Sequence, residues 1–111
     1  MRPRRRAMGC EIHIVQTTLP SAWNEAEVGA FAQGLLQAGA ACIHHDSIRS
    51  TYRWEGAIES SLEWRLQVKV GEDGLGAVIA AIKKSHPYDV PEIIHWSANA
   101  SQSYGEWVNS A

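Results

Sequence analysis

The stretch Ile58-Glu-Ser-Ser-Leu-Glu-Trp-Arg-Leu-Gln-Val-Lys-Val70 alternates between apolar and polar side chains over almost its whole length. A period of two places the two sets on opposite faces of one β-strand. Strands usually run about 5–6 residues, so this strand is roughly twice as long as one small domain needs. The surplus length predicts that it covers something beyond its own core, and another copy of the chain is the simplest candidate.

The composition is typical of a soluble globular domain. Of the 111 residues, 45% are hydrophobic and 20% are charged, and this length supports one core. The net charge of −2 gives no basic field for nucleic acid, and no apolar run approaches the roughly 20 residues of a membrane span. Two cysteines are too few for a disulfide scaffold, so we expect a reducing compartment, the cytoplasm.

The chain begins with a basic segment that differs from the rest. Residues 1–9 include four arginines, and no apolar segment follows them as it would in a secretory signal. We therefore expect a disordered basic arm at 1–9, or an over-extended start with Met8 as the first residue, and a single folded domain at 10–111.

Hydrophobic periodicity predicts an alternation of strands and helices. In order, the predicted elements are a strand at 11–17, a helix capped by Asn24 and Glu27, a strand at 40–54, the long strand at 58–70, a helix from 72 to the residue before Pro87, a strand at 92–96 and a helical tail. This βαββαβ order with a closing helix is the α+β, ferredoxin-like arrangement, in which two helices cover one face of an antiparallel sheet. An open apolar sheet face and an overlong hairpin both favour oligomerisation.

The loop between the two central strands decides which side chains share a face. A three-residue loop, Glu55-Gly56-Ala57, pairs Trp54 with Ile58, and it places four apolar side chains together, namely Tyr52, Trp54, Ile58 and Leu62. A two-residue loop places Tyr52 beside Glu59, which register arguments disfavour. We therefore predict the three-residue loop.

The sequence contains no arrangement typical of an enzyme. No serine lies in a nucleophile elbow, and no glycine-rich phosphate loop follows a strand. Glu59 and Glu63 could be imagined as a carboxylate pair, but on a strand they stand roughly 13 Å apart. A glycosidase pair needs roughly 5–9.5 Å. We expect no catalytic residues and no enzymatic activity.

Histidines and one thiol are the other candidates for metal chemistry. His44 and His45 are adjacent on a strand and point to opposite faces, so they cannot bind one ion together. His13 and His95 fall on strands that are neighbours in this fold, but an imidazole pair needs a register that the sequence leaves open. Cys42 fits either a buried structural thiol or a soft-metal ligand completed by another strand or chain.

The densest polar signal is the segment His86-Pro-Tyr-Asp-Val-Pro-Glu-Ile93. Two prolines stiffen a loop that presents an imidazole, a phenol and two carboxylates. The segment is either a rigid connection anchored by Tyr88 or the wall of a polar pocket.

This segment and several others resemble the CutA divalent-cation tolerance family. The similarity spans Ile12 to Trp107, and the other matching features are Ala40-Ala-Cys42, Ser50-Thr-Tyr-Arg-Trp-Glu-Gly56, the acids Glu59 and Glu63 leading to Lys69, and Tyr104-x-x-Trp107. The family has the ferredoxin-like fold, and its members assemble as trimers through their long hairpins. The resemblance implies a homotrimeric protein that binds divalent ions without catalysis and takes part in cation tolerance.

The resemblance also implies roles for individual residues. It gives the metal ligands as Cys42, His86 and Glu63, the ligand-cleft residues as Lys69, Tyr88 and Glu92, and the trimer interface as Tyr52, Trp54, Ile58, Leu62 and Trp64. Copper is favoured because thiolate and imidazole both rank it high, and no cofactor is obligatory. The expected partners are the chain itself and divalent metal ions, without nucleic acid or membrane.

The sequence departs from the family pattern near these candidate ligands. Gln16 stands where some members carry a metal-binding cysteine, and residues 44–47 replace an asparagine and a proline–glycine pair. The alternative function is a PII-like trimeric regulatory scaffold whose clefts between subunits bind a small anionic metabolite through Lys69 and His86.

Overall fold

The computed structural model describes residues 9–111, so the predicted basic arm, apart from Gly9, lies outside the described residues. The elements are β1 (Cys10–Pro20), α1 (Glu25–Gln37), β2 (Cys42–Trp54), β3 (Ala57–Val70), a 3₁₀ turn (Glu72–Gly74), α2 (Leu75–Ser85), β4 (Ile94–Ala100) and α3 (Gln102–Asn109). This order confirms the predicted α+β, βαββαβ fold with a C-terminal helix. The last strand starts later than predicted and continues to Ala100, because its pairing with β1 continues to Cys10.

The sheet has the strand order β2–β3–β1–β4, and all three pairs are antiparallel. β1 covers β3 only from Val70 to Glu63, which lie opposite His13 and Pro20. Residues 57–62 of β3 and their partners 49–54 of β2 therefore project beyond the sheet as a two-stranded arm. The arm gives the molecule its longest dimension, 55 Å against 28 and 21 Å.

Helices α1 and α2 cover one face of the sheet and form the core with it. Asn24 begins α1 with the predicted capping box, in which its side-chain oxygen accepts the Glu27 N–H at 2.8 Å and the Glu27 carboxylate accepts the Asn24 N–H at 2.9 Å. Gly39 follows α1 with a φ of +124°, which suits glycine. The buried side chains of this core include Val15, Leu19, Val28, Leu35, Leu66, Val68, Val70, Val78 and Ile82.

On the opposite face of the sheet, the open face, α3 packs at the end where β1 begins. Val108 of α3 and Ile12 of β1 are buried there. Gly105 lies so close to Cys10 that a β-carbon would collide with the cysteine side chain, so the helix docks closely only with glycine at this position. Ile94 and Trp96 of β4 are exposed on this face within the described residues.

The turn of the hairpin differs from the prediction. Trp54 lies opposite Ala57, so the loop has two residues, and the three-residue loop was wrong. Glu55 and Gly56 have φ values of +49° and +81°, as in a type I′ turn, whose twist matches that of the strands. This backbone preference outweighs side-chain matching, because the arm is exposed and contact between unlike side chains costs little there.

The corrected register also separates apolar side chains that we predicted to share a face. Tyr52 lies opposite Glu59, whereas Ile58 lies opposite Arg53 and Leu62 opposite Arg49. Tyr52 and Trp54 therefore lie on the open-face side of the arm. Ile58 and Leu62 lie on the side that continues the helix-covered face, together with Trp64.

Candidate functional site

The loop at 86–93 fills a gap beside β1. β1 pairs with β4 only as far as Gln16, so its edge at 17–20 has no strand next to it. The loop lies along this edge and crosses from the helix-covered face to the open face. His86 contacts β1, and Tyr88 reaches across to β3.

His86 fixes the loop in position. Its Nε2 lies 2.7 Å from the backbone oxygen of Thr18, and its Nδ1 accepts the N–H of Tyr88 at 3.1 Å. The ring is therefore neutral with its proton on Nε2, and it also stands edge-on to Phe31. Burial lowers the pKa of His86. Both ring nitrogens are used within the chain, so neither is free for a metal ion in this arrangement.

Tyr88 places its hydroxyl against a carboxylate on β3. The hydroxyl donates to Oε2 of Glu63 at 2.7 Å. Burial of the ring, and then this hydrogen bond, raise the pKa of Tyr88, so the phenol stays protonated and acts as a donor. The second oxygen of Glu63 has no hydrogen-bond partner in the described part of the chain, and it can contact a ligand.

Glu92 is held by a relay of two amides. Gln16 donates to Oε2 of Glu92 at 2.9 Å, and Gln67 donates to the side-chain oxygen of Gln16 at 3.0 Å. Gln16 and Gln67 are directly opposite on β1 and β3. Gln16 stands where some family members carry a metal-binding cysteine, and here its side chain positions the carboxylate of Glu92.

These residues form one wall of a cleft with a volume of about 830 Å³ between the loop and the arm. The cleft is lined by Thr18, Ser50, Thr51, Tyr52, Trp54, Glu63 and residues 87–92. Its lining includes three carboxylates, on Glu63, Asp89 and Glu92, and within residues 9–111 no lysine, arginine or histidine. Like charges around one cavity favour a ligand of opposite sign, so the cleft is suited to a cation.

Two cross-strand polar pairs lie on the open face outside the cleft. Lys69 Nζ donates to His44 Nδ1 at 2.8 Å. Arg65 donates from Nε and Nη2 to the two carboxylate oxygens of Asp46 at 3.1 and 2.8 Å, and this hydrogen bonding lowers the pKa of Asp46. Of the three predicted cleft residues, the structure therefore brings Tyr88 and Glu92 together and leaves Lys69 outside.

The three predicted metal ligands do not meet within one chain. Cys42 lies opposite Lys69, and Glu63 is six residues farther along β3, a separation of about 20 Å. Glu63 and His86 both contact Tyr88 at the other end. Cys42 instead lies beside Tyr104 of α3, whose pKa is raised by burial and by the thiol. An ion shared by Cys42 and Glu63 would need a second chain.

Four of the five predicted interface residues lie exposed on the arm. Tyr52, Trp54, Ile58 and Leu62 are large apolar side chains open to solvent. Trp64 is engaged inside its own chain, where its Nε1 donates to the backbone oxygen of Trp23 at 2.9 Å and its ring packs against the core.

A cluster at the opposite end of the sheet was missed by the sequence reasoning. Side-chain ligand atoms of Glu11, His13 and Glu72 all lie within 4.8 Å of one another. His13 lies opposite Ser97 and not opposite His95, so the imidazole pair does not form by direct pairing. The sequence did contain a hint of this cluster, because Glu11 and His13 share a strand face. Glu72 comes two residues after Val70, which is the β3 partner of His13.

Within residues 9–111, no helix has the length and the apolar character needed to span a membrane.

Comparison with known proteins gives a consistent result. The profile of the family described as CutA1 divalent ion tolerance protein matches residues 13–111. A divalent-cation tolerance protein CutA of Pectobacterium atrosepticum is 30% identical over 105 residues, which cover 92% of this chain and 93% of that protein.

Solved structures agree in fold. CutA1 from Pyrococcus horikoshii is 36% identical, with a TM-score of 0.76 over 86% of this chain and 93% of that chain. A protein described as the PII-like protein CutA from Nostoc sp. PCC 7120 is 25% identical, with a TM-score of 0.78 over 88% of this chain and 94% of that chain.

Proposed function

Because the chain belongs to the CutA1 divalent ion tolerance family, we propose that it is a homotrimeric, non-catalytic protein that binds divalent metal ions, copper among them, in cation tolerance. The observation that carries this proposal is the charge of the cleft. Three carboxylates line the cleft, and among the described residues no cationic side chain opposes them. The names of the relatives, which refer to divalent-cation tolerance, support the same class of ligand.

The cleft carboxylates are the proposed ligands within one chain. Glu63 and Glu92 each use one oxygen to hold the site together, and each keeps a second oxygen for an ion. His86 holds the loop and orients Tyr88, so it acts on the site indirectly. Cu²⁺ is expected to bind more tightly than Co²⁺ or Zn²⁺, because first-row affinities for a given ligand set peak at copper.

Calorimetric titration of the full chain with Cu²⁺ and Zn²⁺ tests the proposal. We expect Glu63→Gln and Glu92→Gln each to weaken Cu²⁺ binding at least tenfold, or about 1.4 kcal/mol. Glu59→Gln is the matched control, because Glu59 is an exposed carboxylate on the same face of β3 that does not line the cleft. We expect it to change affinity less than twofold. Absence of binding heat for copper, zinc and cadmium would contradict the proposal.

The second candidate is a PII-like scaffold that binds a small anionic metabolite. It is supported by the fold shared with the PII-like protein from Nostoc and by two cations, Lys69 and Arg65, on one face of β3. A bound ligand raises the melting temperature by mass action. Stabilisation by anionic metabolites, lost in Lys69→Gln, together with no response to metal ions would favour this candidate.

The proposed compartment is the cytoplasm. Both cysteines, Cys10 and Cys42, are free thiols, as is usual for proteins in a reducing environment. Cell fractionation with an antibody against the chain would test the assignment.

A further inference from the structure

A histidine and two glutamates meet at the end of the sheet opposite the arm. Glu11 and His13 lie on the same face of β1, with one residue between them. Glu72 begins the 3₁₀ turn that follows β3, and its Oε1 lies 2.6 Å from His13 Nε2. The three side chains offer one nitrogen and two carboxylates within 4.8 Å of one another.

His13 lacks the hydrogen bonds of a structural histidine. Its Nδ1 is the one buried side-chain nitrogen or oxygen in residues 9–111 that has no hydrogen-bond partner. His86, by contrast, is bonded through both ring nitrogens. Buried polar atoms are almost always paired, yet within these residues the His13 ring is hydrogen-bonded only through Nε2, to the exposed carboxylate of Glu72. An ion bound at Nε2 would take the place of that contact.

We propose that Glu11, His13 and Glu72 form a second metal site, separate from the cleft, for a divalent ion of the borderline class such as Zn²⁺ or Co²⁺. Imidazole and carboxylate are both ligands of these ions, and three protein ligands with an open position is a common arrangement. Two carboxylates also balance the charge of one divalent ion.

The geometry fits an ion after a small movement. Zinc bonds of about 2.0–2.2 Å in a tetrahedral site place ligand atoms roughly 3.4 Å apart, which lies between the 2.6 Å of the His13–Glu72 contact and the 4.8 Å limit of the cluster. The His13 side chain is only 14% exposed and is therefore fixed, whereas that of Glu72 is 77% exposed and free to adjust.

The surroundings can complete the site. The Glu72 side chain is exposed, so an ion held there is open to water. A metal ion on Nε2 leaves the ring proton on Nδ1, which then needs an acceptor. Ser97 lies directly opposite His13 in the sheet. Side chains in such pairs have Cβ atoms about 4.5–5.5 Å apart, so rotation of the serine can bring its hydroxyl to the ring.

Calorimetric titration of the full chain with Zn²⁺ tests this site. We expect Glu72→Gln and His13→Gln each to weaken the binding of one Zn²⁺ per chain at least tenfold. The matched control is Asp73→Asn, which removes the neighbouring carboxylate outside the cluster and is expected to change affinity less than twofold. Glu72 is exposed, so its variant tests the site without disturbing the core.

Cobalt gives a second readout, because tetrahedral Co²⁺ has a strong visible absorption. We expect the wild-type chain and Glu63→Gln to show this absorption and Glu72→Gln to lose it. The site is overturned if Glu72→Gln and His13→Gln bind Zn²⁺ as the wild-type chain does, or if no such ion binds. Loss of all binding in Glu63→Gln alone would also overturn it and would assign the ion to the cleft.

Discussion

At the scale of single residues, His86 joins the loop at 86–93 to β1, so its loss should lower the stability of the chain. Its ring donates to the Thr18 carbonyl on β1, accepts the Tyr88 N–H within the loop and contacts Phe31. His86→Ala removes these bonds and leaves a Thr18 carbonyl and a Tyr88 N–H unpaired, at a cost of about 2–3 kcal/mol. Urea unfolding at pH 7.5 measures this cost, and a loss below about 0.5 kcal/mol would show that the ring does not hold the loop.

The same residue predicts how stability depends on pH. Because burial lowers the pKa of His86 below its ordinary value of 6.5, the unfolded chain binds this proton more readily than the folded chain. Its contribution is therefore fully present well above pH 6.5 and declines as the pH falls toward the folded-state pKa. The advantage of the wild-type chain over His86→Gln should shrink between pH 7.5 and pH 5. His95→Gln, at an exposed position on β4, is the histidine-to-glutamine control.

The site was predictable from the sequence only where its residues lie on one short segment. Tyr88 and Glu92 share a rigid loop, so their proximity followed from the two prolines and the resemblance. Whether Lys69 joins them depends on the register of β3 and on the path of the loop across β1, which no local pattern encodes. The cluster of Glu11, His13 and Glu72 joins positions about 60 residues apart, and only the β1–β3 register brings them together.

At the scale of elements, alternation and capping were informative because each depends on local chemistry. The Asn24–Glu27 box begins α1 as predicted, and alternation along β3 buries Leu66, Val68 and Val70. The hairpin turn was predicted wrongly, because on an exposed arm neither candidate register buries its side chains. The twist of a two-residue type I′ turn, which Gly56 favours with its positive φ, then decided the register.

The turn itself yields a prediction about hairpin stability. Glu55 has a positive φ, which asparagine tolerates better than glutamate, and Gly56 has one that alanine tolerates poorly. We expect Glu55→Asn to raise the free energy of unfolding by about 0.5 kcal/mol and Gly56→Ala to lower it by about 1 kcal/mol. Gly29→Ala is the control, because Gly29 lies within α1 with open space around its Cα and alanine is favoured there. Equal effects at the two glycines would contradict the type I′ turn.

At the scale of the whole molecule, the arm carries apolar side chains that a single chain does not bury. An isolated two-stranded hairpin is marginally stable in water, yet this arm carries apolar side chains on both faces. Tyr52 and Trp54 are exposed on one side, and Ile58 and Leu62 on the other. A partner on one side only would leave the other pair in water. An arm clasped between two neighbouring chains buries both faces, and a closed ring of three copies gives every arm two such neighbours.

The proposed trimer can therefore be tested from either face of the arm. We expect sedimentation equilibrium to give three times the monomer mass for the wild-type chain. Ile58→Glu and Trp54→Glu should each lower the association constant more than tenfold, because each would bury a charge in an apolar contact. Leu36→Glu is the matched control, because Leu36 on α1 is 45% exposed and Trp54 on the arm is 47% exposed. We expect Leu36→Glu to leave the association constant unchanged. A wild-type chain that sediments as a folded monomer would refute the trimer. A trimer that Trp54→Glu disrupts and Ile58→Glu leaves intact would show that the partners contact one face only.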